Sequence, residues 1–349
     1  MDAELERRAA AGDESAQFAL GTALEARGDH GAARGWFRKA AASGNADALT
    51  ALAVNFLTRP PFQHFEGVKA IVDAANAGSA HAMHIAGGMA AVGAGLPQSW
   101  PMAFDCLFQS AERGWQPSRD ELRLLCGAPS DAWKAMRDSL DLAALLTPAR
   151  MRVVHEKPRV LVAEKFLSGE MCDWLVARAR PGIAPAQVFG AANAEAKREA
   201  GRNNSAFAFN IVQTDIVLAL IRARIAAATE LAPQGMEHSQ VLHYAVGQRF
   251  APHFDFLDPA VPGYAQQIAG GGQRAATFLI YLNDDFDAAE TSFLKLDWRY
   301  RGGKGDAILF WNVDETGLPD RSTLHAGLAP TRGEKWLFSQ WIRRPPARD

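Results

Sequence analysis

Along the first third of the chain apolar positions recur every three or four residues within alanine-rich stretches, the period of helices that bury one face. The stretches end at Ala11-Gly12, Ser43-Gly44, Ala77-Gly78 and Arg113-Gly114, and each time another begins within a few residues. The glycines are 32, 34 and 36 residues apart. Glycine where a helix must stop, small residues where helices cross, and a period of this length predict stacked helix-turn-helix repeats. Pro60-Pro61 and Pro97 mark the less regular loops. Beyond residue 158 the pattern shortens. Residues 241–246, 277–282, 307–311 and 336–342 are rich in β-branched, aromatic and aliphatic side chains and are separated by Gly, Pro and Asp, which predicts short strands, while 211–228 keeps a helical period. The fold class expected is α+β. It comprises an all-α repeat domain over 1–126, a connecting helix and linker over 127–158, with Ser130 as helix cap and Thr147-Pro148 as stop, and a strand-rich domain over 159–349.

Composition adds limits. At 349 residues there is enough chain for two cores, and a net charge of −2 with interspersed acids and bases gives no nucleic-acid or membrane-surface footprint. Cys106, Cys126 and Cys172 are widely spaced without a Cys-x-x-Cys, the usage of buried thiols in a reducing compartment. With a charged start and no run of about 18 apolar residues, a cytoplasmic location is the expectation. Within the repeats, Trp36-Phe37-Arg38-Lys39-Ala40-Ala41 followed by Ser43-Gly44-Asn45-Ala46-Asp47-Ala48 resembles the Sel-like repeat, a relative of the tetratricopeptide repeat. Such arrays hold a peptide or partner protein or serve as a stabilising cap.

The chemistry concentrates in His253-Phe254-Asp255, with His325 and Lys335 further on. On a strand, a period of two puts the histidine and the carboxylate on one side, where they can close on one metal. A second histidine completes the 2-His-1-carboxylate set that occupies one face of iron(II) and leaves the other open.

Around these residues the chain reads E-x-x-Q-V-L-H-Y-x-x-G-Q-x-F-x-x-H-F-D from Glu237, then G-G-Q-R-x-A-T-F-L-I-Y-L-N-D, G-D-A-I-L-F-W-N, and L-H-A-G-x-x-P-x-x-G-E-K-W-x-x-x-x-W-I-R ending at Arg343. This closely resembles the catalytic domain of the prolyl 4-hydroxylase family of iron- and 2-oxoglutarate-dependent dioxygenases, from Arg159 to the C-terminus. The resemblance implies a double-stranded β-helix, or jelly roll, with iron(II) held by His253, Asp255 and His325. It implies 2-oxoglutarate as co-substrate, its far carboxylate on Lys335 with Tyr244 and Thr277 beside it, dioxygen as oxidant and ascorbate as an optional reductant. Arg202 is the substrate contact it suggests, Trp341 is a second by its strand parity with Lys335, and the segments 189–201 and 257–272 are expected to be loops that close on substrate.

One departure stands out: Ala288-Ala289-Glu290-Thr291 replaces the family's usual Gly-Gly-Glu-Thr, so the turn before Glu290 is expected to differ. The leading function is hydroxylation of a residue, prolyl or other, in a peptide or protein, giving succinate and CO2. The alternatives are a hydroxylase of a free amino acid or small metabolite with the repeats as scaffold, and a non-catalytic repeat-based interaction protein.

Overall fold

The computed structural model describes residues 3–127, 132–186, 188–189, 196–197, 201–261 and 263–344. Ser130 and most of 189–201 lie outside them. Two units are present, Met1–Leu142 with Asn210–Leu220, and Ala143–Phe209 with Ile221–Asp349. This departs from the sequence boundaries in two places: the linker after Leu142 belongs to the second unit, and an eleven-residue piece from deep in the second half belongs to the first.

The first unit is built from helices Ala3–Ala10, Glu14–Ala26, His30–Ala42, Ala46–Thr58, His64–Asn76, Ala80–Val92, Trp100–Glu112 and Gln116–Cys126. At Gly12, Gly44 and Gly78 the backbone turns left-handed (φ 94°, 99° and 98°). A Cβ there would touch nothing, so conformation rather than space calls for glycine. The next residue, Asp13, Asn45 or Ser79, caps the following helix by accepting from the N–H three positions on. Ala33, Ala40, Ala48, Ala53, Ala74 and Ala82 are buried, and their small side chains let the helices approach closely.

Residues 211–228 do not form one uninterrupted helix. Asn210 and Gln213 form a capping box that closes a 3-10 turn at Ile211–Gln213, and the helix proper, Ile216–Thr229, starts after a break. Its free N–H groups explain the break: Leu218 N–H donates to the Asp215 carboxylate at 2.7 Å and Val217 N–H to that of Glu121 at 2.8 Å. Glu121 is fully buried in the helix Gln116–Cys126.

The second unit is a sandwich of two antiparallel sheets, a jelly roll. Edge to edge, the larger runs Arg152–His155, Val160–Ala163, Ala307–Trp311, Gln273–Tyr281, Lys335–Arg344, Gln240–Tyr244, Ser205–Ala208, Ala184–Pro185. The smaller runs Trp298–Tyr300, Thr291–Phe293, His325–Gly327, Phe250–His253. Alternation along the strands sorts the side chains. Val160, Val162, Leu242, Tyr244, Leu279, Tyr281, Ile308, Phe310 and Leu337 face the smaller sheet, where Phe293 meets Phe310 at 5.1 Å between ring centres. Phe278, one position out of phase, packs on Phe166 ahead of the helix Gly169–Ala179. The end of the linker forms the edge strand of this sheet, Arg152–His155. Within 257–272, expected as a loop, stands a helix, Tyr264–Gly271. Arg343 donates to the carbonyls of Gln267 and Gly272 and holds it in place. No helix among the described residues is long and apolar enough to cross a membrane. The cysteines are free, and burial pushes the Cys172 thiol up to about 12.

Candidate active site

Strand pairing assembles the histidines. His253 ends its strand, His325 begins the neighbouring one, and the antiparallel register sets them opposite each other with ring centres 4.3 Å apart. Asp255 follows two residues on, with Oδ1 3.6 Å from His253 Nε2 and Oδ2 3.5 Å from His325 Nε2. The three ligand atoms all lie within 4.8 Å of one another. The other ring nitrogens are already engaged: His253 Nδ1 lies 2.8 Å from the Ala251 carbonyl and His325 Nδ1 2.9 Å from that of Thr323. A carbonyl only accepts, so each Nδ1 carries the proton and each Nε2 keeps a lone pair for a metal. Burial, helped by His253, pushes the His325 imidazole down to about 4, so it is neutral at physiological pH. Burial alone would raise the Asp255 carboxyl, but His325, His253 and the Thr277 hydroxyl together hold it well below the usual carboxylate range. Two imidazole nitrogens and one carboxylate suit a divalent cation.

Lys335 is completely buried, on the inward side of its strand and in register with Tyr244. Its ammonium donates to the Ala289 carbonyl at 2.8 Å and lies 4.9 Å and 5.4 Å from the ring centres of Tyr281 and Tyr244. No carboxylate pairs with it among the described residues. Desolvation pushes it down to about 7, with Glu290 pulling the other way. The Tyr244 hydroxyl is buried and pushed up to about 12, chiefly by desolvation, and it has no hydrogen-bond partner among the described residues. A buried cation with two unused donors beside a free phenol is the complement of a small molecule's carboxylate.

One cavity collects Arg202, Tyr244, His253, Asp255, His325, Lys335 and Trp341. Arg202 stacks on Phe250, which stacks on His253 with ring centres 3.5 Å apart. Trp341 is stacked by Arg274, itself held twice by Glu237. Thr277 is placed differently from its sequence reading as a cofactor contact. It points inward beside Leu279 and Tyr281, but its hydroxyl is engaged by Asp255 (2.7 Å) and Asn312 (2.9 Å) instead of lining the cavity. Gln240, Thr291 and Ser339 do line it and were missed. Strand parity carried that signal: Gln240 is two steps of two from Tyr244, and Ser339 stands between Lys335 and Trp341 on the same face.

The turn at Ala288-Ala289 lies against Lys335. Both alanines adopt the left-handed conformation, at φ 60° and 58°, that glycine would take freely. The cost is roughly 1–2 kcal/mol each, and the Ala289 carbonyl is thereby aimed at Lys335.

Residues 239–343 match the 2OG-Fe(II) oxygenase superfamily. The chain is 31% identical over 206 residues to prolyl 4-hydroxylase 1 of Arabidopsis thaliana, covering 55% of this chain and 71% of that protein. It is similar to the viral collagen prolyl hydroxylase of Paramecium bursaria Chlorella virus-1, whose structure was solved as a 2OG complex, at 27% identity and a TM-score of 0.41 over 53% of this chain and 95% of that one. A Sel1 repeat protein from Oxalobacter formigenes is similar at 24% identity and a TM-score of 0.31 over 34% of this chain and 95% of that one. The chain belongs to the prolyl 4-hydroxylase family of 2OG-Fe(II) oxygenases, dioxygenases dependent on iron(II) and 2-oxoglutarate.

Proposed function

We propose that the protein hydroxylates a residue, prolyl in the first instance, within a peptide or protein segment. His253, Asp255 and His325 would hold iron(II), and Lys335 with Tyr244 would hold the far carboxylate of 2-oxoglutarate. Together with dioxygen, the bound iron and 2-oxoglutarate supply oxidative decarboxylation to succinate and CO2 coupled to insertion of one oxygen into a substrate C–H bond. The chain's own residues orient and exclude. The two backbone-anchored imidazoles present Nε2, the carboxylate supplies charge, and Lys335 would fix the co-substrate in a cavity whose apolar lining includes Leu242, Leu279 and Leu337. Arg202 and Trp341, each stacked on a partner and therefore held in one orientation, would face the substrate.

The observation that carries this reading is Lys335: a buried ammonium with no anion paired to it among the described residues, in the same cavity as a trio of metal-type donors. The substrate class is supported by the prolyl 4-hydroxylase relatives and by a helical-repeat unit in the same chain, an architecture that commonly presents an extended surface to peptides. The test is 2-oxoglutarate turnover screened against peptide and amino-acid libraries, with products read by mass spectrometry for a gain of one oxygen. Oxygen gained by proline-containing peptides is the expected result. Oxygen gained only by free amino acids would overturn the peptide assignment.

A further inference from the structure

Behind Asp255 runs a buried hydrogen-bond chain. The Thr277 hydroxyl lies 2.7 Å from Asp255 Oδ2, and Asn312 Nδ2 lies 2.9 Å from Thr277 Oγ1. All three residues are buried, Asn312 completely. Thr277 is in the central strand Gln273–Tyr281, and Asn312 directly follows the neighbouring strand Ala307–Trp311. The Asn312 backbone is held on both sides, its N–H donating to Ala275 O at 2.8 Å and its carbonyl accepting from Asp320 N at 3.0 Å.

The polarity of this chain follows from its end. A metal-binding carboxylate is ionised and can only accept, so the single Thr277 proton points at Asp255. Thr277 Oγ1 is then an acceptor, and Asn312 must turn its NH2 group toward it. That orientation leaves Asn312 Oδ1 buried without a partner among the described residues, which is destabilising. An apolar side chain would avoid it. The fold therefore keeps a destabilising orphan carbonyl in order to place one donor behind Thr277.

We propose that Asn312 and Thr277 are positioning residues for the metal site: the Asn312 amide sets the direction of the Thr277 hydroxyl, which holds the Asp255 carboxylate in its ligating orientation. This rests on the reading of Asp255 as a metal ligand. It gives Thr277 a role different from a cofactor contact, and it brings in Asn312, which does not line the cavity.

The test uses the full-length protein, titrated anaerobically with cobalt(II) alone and followed by visible absorption, with thermal melting of the metal-free protein as the second readout. Thr277→Val should weaken cobalt(II) binding by about 10–100-fold, the usual effect of losing such a partner, and Thr277→Ser should restore it to within about threefold. Asn312→Leu removes both the donor and the orphan acceptor, so metal binding should weaken by roughly three- to tenfold while the melting temperature stays level or rises. A merely structural asparagine would move both readouts down together. Because Asn312 acts only through Thr277, the double variant should bind no more weakly than Thr277→Val. Parent-like cobalt(II) binding in Thr277→Val, or an Asn312→Leu loss that adds fully to it, would overturn the proposal. If Thr277→Val does not fold, Asn312→Leu decides alone: weaker metal with an undiminished melting temperature supports the proposal, and parent-like binding ends it. His325→Ala separates the two levels. Loss of metal there with none in Thr277→Val defeats only this inference, whereas parent-like binding in His325→Ala defeats the metal-site reading itself.

Discussion

Binding of 2-oxoglutarate should take up a proton at Lys335. In the free protein burial pushes its ammonium from 10.5 down to about 7. At 1.36 kcal/mol per decade, that difference puts roughly 5 kcal/mol on holding the charge there without an anion. A carboxylate placed against the ammonium offsets most of this and returns the group toward its ordinary value. The sign follows. Below pH 7 Lys335 is already charged and affinity is flat, whereas above pH 7 each binding event must bring a proton, so affinity falls about tenfold per pH unit until the bound-state value is reached. At pH 8 only about a tenth of free Lys335 is protonated, and uptake should approach about 0.9 proton per 2-oxoglutarate. Anaerobic calorimetry with manganese(II) in iron's place, run in buffers of different ionisation enthalpy, measures this directly. Lys335→Met should abolish the uptake and weaken binding at pH 7 by roughly 10²–10³-fold, the scale for removing one member of a buried pair, while manganese(II) still binds. Zero uptake at pH 8 in the parent protein, or the same uptake in Lys335→Met, would refute the assignment of the anchor.

Four further outcomes are expected. His253→Ala should lose iron(II) and turnover together, because two ligands do not fix a facial set; iron retained per chain, measured by metal analysis after anaerobic desalting, checks it. Ala288→Gly should raise stability to denaturant by about 1 kcal/mol by relieving the left-handed strain at φ 60°, and Ala288→Val should lower it. Glu121→Ala strips the Val217 N–H of its acceptor at the start of a helix and should cost about 1–2 kcal/mol of thermal stability. A fragment beginning near Met151 would leave Asn210–Leu220 without the rest of its unit and should show the same weakness more strongly.

Much was legible in the sequence because it is local or periodic. A glycine that must turn left-handed followed by a capping Asp, Asn or Ser writes each repeat boundary into a few residues, as at Gly12-Asp13 and Gly44-Asn45. Strand parity places Lys335 and Trp341 on one face, whereas the strand expected through His253 and Asp255 stops at His253, and Asp255 reaches the site from the bend that follows. Other features depended on residues far apart in the chain. Only the register of two strands sets His253 against His325, and only the neighbouring strand shows that the Thr277 hydroxyl is taken by Asp255 and Asn312. The break before Ile216 answers to Glu121, 96 residues away, which no window of sequence could include. The Ala288-Ala289 turn is left-handed against the local preference of alanine, and the Ala289 carbonyl meets Lys335, far along the chain. Local conformational energies of a kcal/mol or less are readable along the chain, but the direction of a buried hydroxyl or the protonation of a buried lysine is decided by which groups the fold brings within 3 Å and how thoroughly it removes water.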